Sequence, residues 1–159
     1  MISEGVDALG LGDYIGKHWQ RPLSGGEISA KRRFIKKFGK MIGELHRKGI
    51  CHGDLRINNI LVQESTGDVI FYFVDNERNT LFKRIPRRLI RKNLVQINMF
   101  QSPNITRQDR QRFFHAYCEA YGGLSPAEKL ALIERVQQRT AERLAKKAEK
   151  EKRAGQSDT

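Results

Sequence analysis

Cysteine is scarce in this sequence: Cys51 and Cys118 are the only two, and they form no CxxC pair. That excludes a disulfide framework and a cysteine-built zinc site, and it fits a reducing compartment. Long hydrophobic runs are missing too. No stretch approaches the roughly 18 apolar residues a membrane-crossing helix needs. Residues 1–16 lack the basic start and apolar core of a secretory signal, so a cytoplasmic location is expected. Acidic side chains nearly vanish over residues 78–112, where ten Lys and Arg are met by Asp109 alone. The hydrophobic share of 38% is low for a globular chain but too high for a wholly disordered one. A length of 159 residues suits one domain or part of a larger one.

The charge is unevenly spread. The net balance is +12, yet residues 1–77 carry 11 basic and 10 acidic side chains. Most of the excess sits in residues 78–112, and residues 127–159 add 9 basic against 6 acidic. A solvated charge run is the plain reading; the sharper one is a surface that meets an anionic partner.

Residues 1–26 read as loop and short helix. Their Gly10, Gly12 and Gly16 follow GxGxxxG, which does not match a nucleotide-binding GxGxxG, and no convincing strand precedes them. Residues 27–48 predict a strong helix, with Ile35, Phe38, Met41, Ile42 and Leu45 at helical spacing and Lys31, Arg32, Lys36, Lys37 and Lys40 on much of the other face. Gly49 is its natural stop. Asn59–Val62 and Val69–Val74 read as strands of a β-hairpin around a Ser65-Thr66-Gly67 turn. Pro86 opens a helix to about Met99. Thr106 and Asp109 form a capping box for a helix to about Tyr121, with Phe113, Phe114 and Tyr117 buried. Ser125, Pro126 and Glu128 open a last helix with Leu130, Ile133 and Val136 as its apolar stripe. The expected organisation is residues 1–123 as one unit, 124–153 as a C-terminal helix and 154–159 as a disordered tail. The fold class is α+β, mainly helical, with a small β-hairpin.

Chemistry concentrates between His52 and Asp75. Asp54 and Asn59 stand five apart in His52-Gly53-Asp54-Leu55-Arg56-Ile57-Asn58-Asn59, like the H-x-D-x-x-x-x-N catalytic loop of kinases. Asp75 follows at the end of the second strand. Phosphoryl transfer needs an acceptor hydroxyl oriented and its proton accepted, which suits Asp54. It also needs Mg²⁺ bridging the phosphates of ATP, which suits the hard oxygen ligands Asn59 and Asp75. The alternative is a hairpin with ordinary polar turn residues, and it leaves the spacing as coincidence. His52 reads as a structural hydrogen bonder, and His46 as a residue that caps or packs its helix end. His18 and His115 have no partner pattern.

At these residues the sequence resembles the lipopolysaccharide kinase (Kdo/WaaP) family of the protein-kinase-like superfamily, from about Ile2 to Tyr121. The points of contact are His52-Gly53-Asp54-Leu55, the following Asn59, and Val74-Asp75-Asn76-Glu77-Arg78 in place of a DFG triplet. The basic helix from Arg87 and the aromatic helix Phe113–Tyr121 also resemble that family's C-terminal region. The resemblance implies a protein-kinase-like C-terminal lobe and an ATP- and Mg²⁺-dependent transfer to a heptose or Kdo sugar. It also implies an anionic glycolipid acceptor at the cytoplasmic face of the inner membrane. By that resemblance Asp54 is the catalytic base, and Asn59 and Asp75 are the metal ligands. Arg84, Arg87, Arg88, Arg91 and Lys92 are the candidate acceptor or membrane patch.

Two departures matter. Gly53 replaces the Arg of the protein-kinase HRD, so activation by loop phosphorylation is not expected. Asp75-Asn76-Glu77 lacks the Phe-Gly of DFG, and Glu77 is expected to pair with a nearby Arg. Only 53 residues precede Asp54, and no Gly-rich strand pair, strand Lys or helix Glu is visible among them. Residues 1–5 look like a hinge. The small lobe is therefore expected to be missing from this sequence, and to be supplied upstream or in trans. Other acceptors, a protein Ser/Thr or a small molecule, fit the same motif. So does a non-catalytic kinase-like module. Nucleic-acid binding is disfavoured, because Phe82 and Phe100 are not interleaved with the basic residues as stacking platforms.

Overall fold

A computed structural model describes residues 7–157. The element order is β1 (Ala8–Gly10), α1 (Leu11–His18), α2 (Gly25–Arg47), β2 (Ile50–Cys51), β3 (Ile60–Ser65), β4 (Asp68–Phe73), β5 (Thr80–Leu81), α3 (Arg87–Asn98), α4 (Arg107–Tyr121) and α5 (Pro126–Ser157). Single 3₁₀ turns cover Ile57–Asn59 and Asn76–Arg78. The expected hinge at residues 1–5 lies outside the described residues, as do Asp158 and Thr159. Helix α5 runs through residues 154–157, which were expected to belong to a disordered tail. No helix is long and apolar enough to cross a membrane among the described residues.

Local chemistry sets most boundaries. Helix α2 starts two residues before its expected start because its capping box is built on Ser24. The Glu27 amide donates to Ser24 Oγ at 3.2 Å, and the Ser24 amide donates to the Glu27 carboxylate at 2.8 Å. Gly49, just past the helix's last residue Arg47 and the cap Lys48, stops it with a left-handed φ of +83°. Helix α4 opens on the expected box, with Thr106 and Asp109 exchanging bonds of 2.8 and 3.1 Å. At α5 only half of the expected box forms. Ser125 Oγ accepts from the Glu128 amide, but the Glu128 carboxylate turns to Arg87 at 3.4 Å.

The hairpin β3–β4 is antiparallel, with Ile60 opposite Phe73 and Val62 opposite Phe71. Thr66 and Gly67 at its tip both have positive φ, at 41° and 80°, as a two-residue turn matched to strand twist requires. Strand β1 pairs on the other side of β3, Leu9 opposite Val62, giving the order β1-β3-β4. This corrects the reading of residues 1–26 as loop and helix alone. Three residues are too few to show a strand period. Strands β2 and β5 form a separate pair, Cys51 opposite Thr80. It draws the segment after Asp75 back beside the loop that holds Asp54.

The core lies between the sheet and α2, and between α2 and α4. Aromatic rings link these layers: Tyr14 stacks on Phe34 at 5.0 Å, Phe34 meets Phe71 edge-on at 5.1 Å, and Phe38 touches Phe113 at 5.3 Å. Such pairs contribute about 0.5–1.5 kcal/mol each beyond the area they bury. Tyr117 is fully buried, whereas Phe113 and Phe114 are only half-buried. Lys31, expected on the polar face of α2, is buried instead and pairs with buried Asp109 at 2.7 Å. On α5, Val136 and Thr140 face inward while Leu130 stands 58% exposed, because it lies roughly 100° around the helix from that line. An apolar cavity of about 150 Å³ sits between α1, α2 and α4, lined by Leu11, Trp19, Phe34 and Phe114 among others; Asp54, Asn59 and Asp75 do not line it.

Helices α2 and α4 approach so closely because Gly39 and Gly43 lie under main-chain atoms of α4. A Cβ on Gly43 would overlap the Tyr117 carbonyl oxygen, whereas a Cβ on Gly16 would meet nothing within 4 Å. Gly43→Ala is therefore expected to destabilise the fold by about 1–3 kcal/mol. Gly16→Ala in α1 should be neutral or stabilising by about 0.5–1 kcal/mol. Urea midpoints of the two variants check this pair.

Candidate active site

The loop His52–Asn59 joins β2 to β3 and is anchored from below by Leu55, which is fully buried, and by buried Ile57. His52 is the joint that holds it to β4. Its Nε2–H donates to the Val74 carbonyl at 3.1 Å, and its Nδ1 accepts from the Asp54 amide at 3.0 Å. One ring thus fixes the backbone of Asp54 against the residue just before Asp75, the structural role expected of it.

Asn59 closes the loop. Its Nδ2 donates to the Asp54 carbonyl at 2.9 Å, which leaves its Oδ1 as a hard oxygen donor. The Val74 amide donates to the Asn59 carbonyl at 2.9 Å, so the β3–β4 ladder runs one step further and delivers Asp75 beside Asn59. Asp75 has φ 58° and ψ 55°, a left-handed conformation that Asp tolerates better than most residues. The three residues singled out in the sequence are thus gathered at one end of the hairpin.

The Asp54 carboxylate is held from two sides. Arg56 grips it from solvent, with Nε 2.8 Å from Oδ1 and a terminal nitrogen 2.6 Å from Oδ2. Gln96 of α3 donates to Oδ1 at 3.3 Å from inside. The Arg56 hydrogen bonds keep the Asp54 carboxyl below its usual range, opposed by partial burial. Arg56 is in turn raised by Asp54 and, more weakly, by the charge of Asp75.

Gly53 has a steric reason. A Cβ there would overlap the Cβ and carbonyl oxygen of Arg78, and the Gly53 amide donates to Asn79 Oδ1 at 3.1 Å. The segment after Asp75 therefore lies directly on the loop, and no side chain fits at this position. Glu77, expected to pair with an Arg, makes no ion pair among the described residues; it stands exposed. The basic stretch also divides. Arg84, Arg87, Arg88 and Lys92 are exposed and Arg91 is half-buried. Arg110 instead bonds the main chain of Asn98 and Phe100, and Arg112 pairs with Asp109. The latter two are structural and do not belong to the patch.

Sequence reading missed Asn93 and Gln96, the buried polar residues behind the loop. Tyr117 O–H donates to His46 Nδ1 at 2.7 Å, and His46 Nε2–H donates to Asn93 Oδ1 at 3.1 Å. Asn93 Nδ2 donates to the His52 carbonyl at 2.9 Å and to Gln96 Oε1 at 3.1 Å. The Leu55 amide donates to Gln96 Oε1 at 3.1 Å. The available signal was Asn93 and Gln96 among Ile90, Leu94, Val95 and Ile97, polar side chains set within the buried part of a helix.

Residues 10–117 match the profile of the lipopolysaccharide kinase (Kdo/WaaP) family, more than half of the chain. The chain belongs to this family. The matched stretch holds Asp54, Asn59 and Asp75, the basic residues Arg84–Lys92, and Asn93 and Gln96. Similar proteins include the lipopolysaccharide core heptose(I) kinase WaaP of Escherichia coli, 31% identical over 100 residues, covering 59% of this chain and 37% of that protein. Protein kinase kin1 of Schizosaccharomyces pombe is 33% identical over 89 residues, covering 55% of this chain and 9% of that protein. A solved structure, WaaP in complex with acyl carrier protein, superposes with a TM-score of 0.67 at 20% identity, covering 85% of this chain and 57% of that chain. It shows the kinase-like fold, mainly helical with small sheets, as the family resemblance implied. The chain spans less than two-fifths of the two curated relatives and little more than half of the solved chain.

Burial lowers the pKa of His46 from 6.5 to about 4, partly offset by its bond to Asn93. The unfolded chain takes up a proton on this ring below pH 6.5 that the folded chain refuses until about pH 4. The stabilising contribution is therefore intact above pH 6.5 and is lost as pH falls through that window, at up to about 1.4 kcal/mol per pH unit. Wild-type stability should drop more between pH 7.5 and pH 5 than that of His46→Gln, as read from urea midpoints at the two pH values.

Proposed function

We propose that this chain carries the base, the metal ligands and the acceptor-facing surface of an ATP-dependent kinase of a lipopolysaccharide core sugar, a heptose or Kdo. The observation that carries this reading is the joint of His52 with Val74 and Asp54, together with the Asn59 bond to the Asp54 carbonyl. Those bonds hold one carboxylate, one amide oxygen and a second carboxylate at a single strand end.

In this reading Asp54 accepts the proton of the acceptor hydroxyl, and Asn59 and Asp75 hold Mg²⁺. The donor set fits that ion. Among the described residues no three His, Cys, Asp or Glu side chains gather into a cage, and Mg²⁺ commonly takes one or two carboxylates and completes its shell with waters and phosphates. When bound, the ion neutralises phosphate charge as the transferred group develops it. Asp75 is then fixed by its left-handed backbone, and Asn59 by its bond to Asp54. Other groups that clamp the nucleotide would come from a small lobe, supplied upstream or in trans. The exposed Ile70, Tyr72, Val74 and Leu81 beside the site suit contact with it.

The basic patch supports an anionic acceptor. Arg87 and Arg88 occupy the first turn of α3, against the helix dipole. Arg84, Arg88, Arg91 and Lys92 have no acidic partner among the described residues, while Arg87 meets Glu128 at 3.4 Å. From Arg88 to Gln96 helix α3 advances about 12 Å, so the same helix carries the patch at one end and touches Asp54 at the other. An anionic glycolipid on the cytoplasmic face of the inner membrane would span that distance. The proposed location is cytoplasmic, peripheral to that membrane.

Phosphotransfer from γ-labelled ATP, offered core glycolipid, a generic protein and small alcohols in parallel, tests the reading. Transfer to the glycolipid is expected, with a loss of roughly 100-fold or more in Asp54→Ala. Label arriving on protein or small alcohols instead would reassign the acceptor, and transfer indifferent to Asp54→Ala would remove Asp54 from the catalytic role. Charge reversal at Arg87, Arg88 and Arg91 should weaken binding to glycolipid or anionic vesicles while sparing Mg²⁺. Vesicle and glycolipid binding that survive the reversal would reduce the patch to solubility.

A further inference from the structure

Gln96 has one orientation available to it. Its Oε1 accepts from the Leu55 amide and from Asn93 Nδ2, both at 3.1 Å. Turning the amide over would set its NH₂ against two donors. Asn93 is fixed the same way, because the His52 carbonyl can only accept from it and His46 Nε2–H can only donate to it. His46 is fixed in turn by Asn93: its Nε2 carries the proton, and its Nδ1 is left to accept from the buried Tyr117 hydroxyl. The chain of bonds starts at α4, crosses α2 and α3, and leaves one outcome at its end: Gln96 Nε2 donates to Asp54 Oδ1 at 3.3 Å.

The two carboxylate oxygens are therefore not equivalent. Oδ1 accepts from Arg56 Nε at 2.8 Å and also, from the interior, from a side chain that is 9% exposed. Oδ2 is held by Arg56 alone, at 2.6 and 3.0 Å, and that arginine side chain is 64% exposed. Arg56 is open to an arriving anion, whereas Gln96 is buried behind the carboxylate. We infer that Gln96 is the positioning residue of Asp54, holding Oδ1 so that Oδ2 is the oxygen that receives the acceptor proton. The inference rests on the kinase reading. In the step, the acceptor oxygen bonds to the terminal phosphorus of a nucleoside triphosphate, the bond from that phosphorus to the bridging oxygen breaks, a nucleoside diphosphate leaves, and the hydroxyl proton passes to Oδ2.

The test uses the full chain as wild type, Gln96→Glu and Gln96→Met, each checked for native circular dichroism. Gln96→Glu keeps an acceptor for Leu55 and Asn93 but turns a second carboxylate on Asp54. Gln96→Met removes the donor without adding charge and serves if the Glu variant does not fold. A ¹³C NMR titration of the Asp54 carboxyl needs no turnover. In Gln96→Glu its midpoint should rise by roughly one pH unit, with a smaller rise in Gln96→Met. In phosphotransfer, kcat should fall roughly 10- to 100-fold with the KM for nucleotide little changed. The acid limb of the pH–rate profile should move up together with the Asp54 midpoint. A folded Gln96 variant in which the Asp54 midpoint and the acid limb match wild type overturns the inference. Asp54→Asn separates the two levels. Phosphotransfer that survives Asp54→Asn overturns Asp54 as the base of the proposed reaction, whereas loss in Asp54→Asn with both Gln96 variants at wild-type rate overturns the positioning role alone.

Discussion

The structure around the candidate site depends on the hydrogen bonds of Asn93, a fully buried side chain in the middle of α3. It joins His46 of α2 to the His52 carbonyl and to Gln96. A polar group in that position stabilises only while every partner is present; one left unsatisfied in low dielectric costs about 1–3 kcal/mol. The network is complete, since no buried side-chain nitrogen or oxygen among the described residues lacks a partner. The helices therefore cannot shift against the loop by small amounts without breaking a bond. Rigidity at Asp54 follows from polar bonding inside the lobe, while apolar packing supplies the bulk of the stability.

Much of this was legible in the sequence, and the reasons differ by element. The hairpin and helix α4 declared themselves through turn and capping chemistry, which acts within a few residues. That Asp54, Asn59 and Asp75 meet at one end of the hairpin was legible because their spacing places them on the loop and strand ends that the hairpin joins. Strand β1 was too short to show a period. The burial of Lys31 depends on Asp109, far along the chain, so nothing local announces it. Asn93 and Gln96 were hidden for the same reason. Their partners are His46, His52, Asp54 and Leu55, and only the fold brings these together. Gly53 was read as a departure from the kinase pattern, and the close approach of Arg78 supplies its physical cause.

The charge follows the same division between local and tertiary causes. Ten basic residues between 78 and 112 read in the sequence as a single feature. In the fold, Arg110 and Arg112 are tied into the junction of α3 and α4, while Arg84, Arg87, Arg88, Arg91 and Lys92 cluster near the start of α3. What remains is a smaller and better-placed patch. It sits on the helix that also carries Gln96, so under the proposed function acceptor contact and base orientation would share one rigid element.

The central claim is that Asp54, Asn59 and Asp75 form one metal-nucleotide site. It is tested most directly by adding Mn²⁺ with a nucleoside triphosphate to the ¹⁵N-labelled full chain and mapping paramagnetic broadening. Broadening centred on the amides of Asp54, Asn59 and Asp75, and absent from Asp75→Asn, is the expected result. Broadening centred elsewhere, or unchanged in Asp75→Asn, would contradict it.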